Sequence, residues 1–243
     1  MPPLESVRSE DMKSEKVSQM SESYFVGLVL AVVGGYIDAY TYLARGEVFA
    51  NAQTGNLVLL GINFVSGNFM KAVSYLPPIL AFIVGVVITE EVRKFVNKGR
   101  LHWRQYIIIL EIIVIAVVCF LPEGKADWID FNMVTNVMIS FVCSLQVQCF
   151  RNIRGISCAT TMCTGNLRSG TECLAAYAAT KDKIKLHSAG KFYGLVLFFV
   201  IGAAVSAYIT NIIHEKSVIF SAIGLVTVLI AMFIRLENET EIQ

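Results

Sequence analysis

Charge is what this sequence has least of. Asp, Glu, Lys and Arg make up 16% of its 243 residues, against about 25% in an average soluble domain. The few charges collect in the tails and short connections, and long stretches between them carry almost none. A net charge of only +1 excludes a broad basic surface, so no nucleic-acid partner is expected. No glycine-rich phosphate loop, zinc-protease helix or nucleophile elbow occurs. The three histidines, His102, His187 and His214, are far apart, which argues against a metal centre. Cys119, Cys143, Cys149, Cys158, Cys163 and Cys173 form no C-x-x-C pair and read as small buried residues. No Ser/His or Cys/His pair is placed for nucleophilic catalysis, so neither an enzyme nor a cofactor is expected.

Apolar length is what the chain has most of: AVILMFWYC make up 55% of it and mean hydropathy is +0.62. A bilayer core of about 30 Å takes roughly 20 helical residues. Six runs approach that length: Tyr24–Ala44, Lys71–Val92, Gln105–Leu121, Asp130–Phe150, Ser188–Ile212 and Ser217–Leu236. The first is too long for a signal-peptide core and lacks a cleavage site, so it reads as a retained span. Pro77 and Pro78 lie early in the second, where a helix starts or kinks. The expected fold class is therefore all-α, a polytopic bundle in a lipid bilayer. Residues 1–23 read as a disordered tail, 24–236 as one transmembrane domain, and 237–243 as a second tail.

Two further segments are apolar but do not fit as spans. Thr54–Ser66 is too short, and Thr164–Thr180 carries Arg168 and Glu172, four apart and able to pair on one helix face. Both open on the same word, Thr54-Gly55-Asn56-Leu57 and Thr164-Gly165-Asn166-Leu167, 110 positions apart. Shifting the first half by 110 overlays the hydropathy patterns. This suggests a duplication with halves of about 24–121 and 130–236.

Basic residues test the topology. With six spans, re-entrant T-G-N segments and an internal N-terminus, sixteen fall inside: Arg8, Lys13, Lys16, Arg93, Lys94, Lys98, Arg100, Arg104, Arg151, Arg154, Arg168, Lys181, Lys183, Lys185, Lys191 and Arg235. Only Arg45, Lys71, Lys125 and Lys216 fall outside. Counting the short segments as full spans makes the split nearly even. Three spans per half invert one half relative to the other, an arrangement that in transporters places the solute site where the repeats meet.

Each T-G-N word predicts the start of a broken half-helix at membrane depth. Thr would cap the helix, Gly would allow a tight turn, and the Asn amide would both donate and accept toward a solute. The free N–H groups of the half-helix would favour partial negative charge. Asp38 lies inside the first span, with Gly27, Ala31, Gly34 and Gly35 running toward it as a small-residue packing stripe. It reads either as the carrier of a coupling proton or cation, or as an interfacial acid bonded to Tyr42 or Arg45. Glu111, roughly 10 Å in from the inner end of its run, reads as a weaker coupling candidate, or as snorkelling to the interface or pairing with the Arg93–Arg104 loop. Asn51 and Gln53 before the first word, and Gln146, Gln148, Thr160 and Thr161 before the second, are polar residues that either line a solute site or glue helices together.

The run Gly34-Gly35-Tyr36-Ile37-Asp38-Ala39 followed by Val48-Phe49-Ala50-Asn51-Ala52-Gln53-Thr54-Gly55-Asn56 resembles the YoaK family of bacterial membrane proteins. Leu145-Gln146, Thr160-Thr161 and Thr164-Gly165 extend the resemblance over about residues 24–236. Where the family pattern reads Gly-Leu-Gln-Asn, this chain has Ser144-Leu145-Gln146-Val147 and lacks the amide at 147. The resemblance implies a bacterial inner or plasma membrane location and supplies no substrate; the split of basic residues puts both termini in the cytoplasm. The leading expectation is a small-solute transporter or permease. The alternatives are a passive channel for a neutral solute and a non-transporting scaffold or regulator. The partners expected are the lipid bilayer, a small molecule or ion, and in the open case a second copy of the chain.

Overall fold

The computed structural model describes residues 23–95, 102–126, 129–153, 156–157 and 160–233. Both expected tails, apart from Ser23, lie outside the described residues, as do Lys98, Arg100, Arg154 and Cys158.

Helices form where the apolar runs predict them, and local chemistry sets their ends. Helix α1 is Tyr24–Ala44, capped by the Ser23 hydroxyl, which accepts the Val26 N–H at 3.2 Å. Helix α2 is Gln53–Val65, α3 is Phe69–Val73, and α4 is Leu76–Phe95. Pro77 and Pro78 fall in the first turn of α4, where a missing N–H breaks no helical bond. Helix α5, Trp103–Val118, opens on a capping box in which the His102 N–H donates to Gln105 Oε1 at 2.8 Å. Helix α6 is Phe131–Cys149, capped by Asp130 through the Met133 N–H. Helix α7 is Cys163–Thr180 and α8 is Lys183–Ile213, and left-handed Lys181 (φ 57°) turns the chain between them. A 3-10 turn, His214–Val218, leads into α9, Ile219–Phe233. Strand fragments Lys125–Ala126 and Ile129–Asp130 (β1, β2), and Asn152–Ile153 and Ile156–Ser157 (β3, β4), form two small antiparallel hairpins in the connections flanking α6.

Among the described residues, three helical stretches are long and apolar enough to cross a membrane: Tyr24–Ala44, Phe69–Phe95 and Lys183–Phe233. The 51-residue third stretch is not one rod. Tyr36 and Tyr40 of α1 donate to the carbonyls of Ser217 and Glu215 in its turn, while Gly224 of α9 abuts Val33 and Val29. So α9 runs antiparallel to α1, and Ser23 and Phe233 lie at the same end of the bundle. At 13 residues, or about 20 Å, α2 is too short to span. Helix α7, at 18 residues, is longer than its counterpart, but its exposed Arg168–Glu172 ion pair, 2.9 Å apart, sets it apart from the apolar stretches.

Apart from α7, which packs along α8 in its own half, the main packing partners cross between the two halves of the chain. Helix α1 packs along α8, and α4 along α6; α5 packs on α6, and α1 on α9. Exchanging α1 with α6, α4 with α8 and α5 with α9 turns this set of pairs into itself. Both long pairs cross at glycine. A Cβ on Gly35 would overlap the Phe199 carbonyl, one on Gly202 the Val32 carbonyl, and one on Gly85 the Ser144 hydroxyl. Such contacts let backbones approach where lipid supplies no hydrophobic drive.

The core between α1, α5, α6 and α9 is apolar, built from Leu30, Ile37, Ile108, Ile115, Ile139, Leu145, Leu225 and Val228 among others. The outward faces are apolar too. Leu57, Ile62, Ile83, Val87, Leu197, Val200 and Val205 are exposed, and Val65 reaches 88% exposure. Exposed apolar cover on this scale belongs to a surface that meets lipid or protein rather than water.

Candidate functional site

The segment between α1 and α2 is irregular, so each of its buried backbone groups needs a partner from elsewhere. Side chains supply several. The carboxylate of Asp38 accepts the Asn51 N–H at 2.8 Å, and the Thr41 hydroxyl accepts the Ala50 N–H at 3.3 Å. Asn56 reaches back from α2: its Oδ1 accepts the Phe49 N–H at 3.1 Å, and its Nδ2 donates to the Phe49 carbonyl at 2.6 Å and to Gln53 Oε1 at 2.9 Å. Gln53 Nε2 in turn donates to the Ala50 carbonyl at 2.7 Å and the Ser140 hydroxyl at 3.3 Å.

This geometry corrects four expectations. Thr54 and Thr164 are not caps. The N-caps are Ala52 and Met162, neither making a side-chain cap bond, because each helix starts one residue before its word. Both threonines are exposed in the first turn. Gly55 makes no left-handed turn; it lies where a Cβ would come within 2.9 Å of the Phe49 ring, whereas Gly165 faces open space. The Asn56 amide is committed to its own loop rather than presented to a solute. Asp38 is bonded to the Asn51 N–H, not to Tyr42 or Arg45.

What converges instead are the residues just before the words. Asn51 is 5% exposed, yet its Nδ2 and Oδ1 both lack a hydrogen-bond partner. The same holds for the hydroxyls of Thr160 and Thr161, which are also buried. Gly34 joins them: a Cβ there would sit 2.6 Å from Thr161 Cγ2 and 3.3 Å from Asn51 Nδ2. Asn51 and Thr161 are equivalent under the 110-residue shift, so the two halves present matching positions to one small, uncharged polar spot. Unpaired polar atoms so deeply buried are costly in a dry interior, roughly 1–3 kcal/mol each. A polar solute or water with donors and acceptors would satisfy them.

The remaining polar residues hold helices. Gln146 Nε2 donates to the Leu30 carbonyl at 3.1 Å, joining α6 to α1, and Gln148 donates to Glu90, joining α6 to α4. Asn166 is buried in α7, as Asn56 is in α2. Glu111 neither snorkels nor pairs with the Arg93–Arg104 loop. It is fully buried in α5, and neither carboxylate oxygen has a hydrogen-bond partner. Among the described residues no cluster of His, Cys, Asp or Glu forms a metal site.

In the sequence Arg45 reads only as an outside charge or a partner for Asp38, because an arginine ending a span normally snorkels to water. Here it is 1% exposed. Its Nε donates to Tyr40 Oη at 2.8 Å, Nη1 to the Pro122 carbonyl at 2.7 Å and Nη2 to the Leu121 carbonyl at 3.0 Å. Asn136 donates to the Arg45 carbonyl at 2.7 Å, and Tyr40 donates to that of Glu215 at 2.9 Å. One guanidinium thus helps tie α1, the α5–α6 connection and the α8–α9 turn together at one end of the bundle.

Residues 26–232 match a family model described as a protein of unknown function, DUF1275. No curated protein and no solved structure matches the chain.

Proposed function

We propose that this chain, which belongs to the DUF1275 family of proteins of unknown function, is a small-solute transporter or permease with its site between two inverted halves. The observation that carries the reading is the partnerless pair Asn51 and Thr161, contributed by both halves around Gly34. Its amide and hydroxyl suit a small solute able to donate and accept hydrogen bonds. The mutual exchange of helix partners supports the inverted repeat, since a duplicated, interlocked bundle pairs each helix with the other half. Six spans, cytoplasmic termini and a YoaK-like bacterial inner-membrane location belong to the same proposal. The chain acts without enzymatic chemistry or a cofactor.

The test is water access. In a background with the native cysteines replaced, Thr161→Cys should react with a small membrane-impermeant thiosulfonate, while cysteine at outward-facing Val200 should not. Failure of Thr161→Cys to react from either side of the membrane would falsify the solute site.

A further inference from the structure

Glu111 is a buried ionisable group that the solute site does not use. It lies at the middle of α5, flanked one turn away by buried Ile107, Ile108 and Ile115, and both its oxygens lack a hydrogen-bond partner. A bare carboxylate in such surroundings is prohibitively unfavourable, whereas the neutral acid is tolerable. Few titratable groups surround it. Helix α9 contains none, and those of α4 lie in its last turns. Arg104 and His102 lie two or more turns back along the chain. The titratable groups of α6, which packs on α5, are the buried thiols of Cys143 and Cys149.

The duplication sharpens the point. Under the 110-residue shift Glu111 falls on Ser221, a buried residue bonded to the Val218 carbonyl within its own helix. A purely architectural polar group would be expected in both halves, and the acid occurs in one. A route outward is marked on α6, where Thr135 Oγ1 and Asn136 Oδ1 are buried without partners. These residues lie one to three turns nearer the Arg45 end than Cys143, and Asn136 donates its amide to the Arg45 carbonyl.

The geometry points to Glu111 as a proton-binding site that exchanges with water through the Thr135–Asn136 side of α6. A proton passes from hydronium to a Glu111 carboxylate oxygen, leaving water and a neutral acid; release is the reverse. Coupling of this proton to solute movement rests on the transporter reading, but the site itself does not.

Infrared difference spectroscopy on the full chain in lipid at neutral pH tests it. A protonated carboxylic C=O band should be present in the wild type and lost in Glu111→Gln. On transfer to D2O the band should shift downward within minutes, and Thr135→Val should slow that shift at least several-fold while leaving the band in place. Absence of the band, or a band unshifted after hours, overturns the proposal. The D2O measurement on wild-type protein stands even if Glu111→Gln does not fold. Exchange at Glu111 without labelling at Thr161→Cys would retain the proton site and remove the solute site.

Discussion

Two asparagines five residues apart should respond in opposite ways to alanine. Asn56→Ala removes three hydrogen bonds, two of them to the Phe49 backbone. It leaves a part-buried N–H and C=O of Phe49 unsatisfied beside the start of α2. Each such group costs about 1–3 kcal/mol in soluble proteins, and side-chain bonds inside membranes average nearer 0.6 kcal/mol. A loss of about 2–4 kcal/mol follows, or roughly 5–15 °C in Tm at 2–4 °C per kcal/mol. Asn51→Ala removes an amide with no partner to lose, so stability should stay within about 1 kcal/mol of wild type because relief of an unpaired buried group offsets the lost packing. Its effect should fall on uptake instead. Fluorescence-detected size exclusion after graded heating gives both Tm values in detergent, and uptake into proteoliposomes gives the other axis. Equal Tm losses, or a larger one for Asn51→Ala, would refute the division between a structural Asn56 and a functional Asn51.

Arg45→Met should lower Tm by roughly 5 °C or more, since it strands the Leu121 and Pro122 carbonyls and removes a donor from the Tyr40 hydroxyl at a buried junction; a Tm within 1–2 °C of wild type, on the same scale, would show that the junction does not hold that end. Gly35→Ala should sharply reduce folded yield because the new methyl overlaps the Phe199 carbonyl, whereas Gly165→Ala, facing open space, should fold normally; measuring monodisperse yield of both separates close approach from a general intolerance of helix glycine changes. A reporter fused after Gln243 should read as cytoplasmic and one inserted at 122–129 as external, and an external C-terminus would rule out the six-span topology.

The helices were legible because long apolar runs display their length and composition directly in a sequence. Tyr24–Ala44 is the first helix residue for residue, and the other runs differ from their helices by a few positions at the ends. The two short segments were legible for the complementary reason: too short in one case, too charged in the other. The T-G-N words marked where α2 and α7 begin but not what their residues do there. Whether Asn56 turns toward a solute or back to Phe49 depends on a loop path that no local pattern encodes, and a one-residue shift in helix start moved the threonines out of the cap position. The direction of Glu111 was equally hidden. Helix α5 is apolar on nearly every side, so its sequence carries no stripe to say which face is buried.

The pairing of α1 with α8 also has a temporal side. Gly35 meets Phe199 and Ala203, residues made more than 160 positions later in synthesis. At about 5–20 residues per second, the first helix waits on the order of ten to thirty seconds for the surface it is shaped to fit. During that interval its glycine face and Asp38 have neither α8 nor α9 against them. Insertion machinery that shelters early helices, or a provisional contact with α6, would then govern the yield of folded protein as strongly as the stability of the finished bundle.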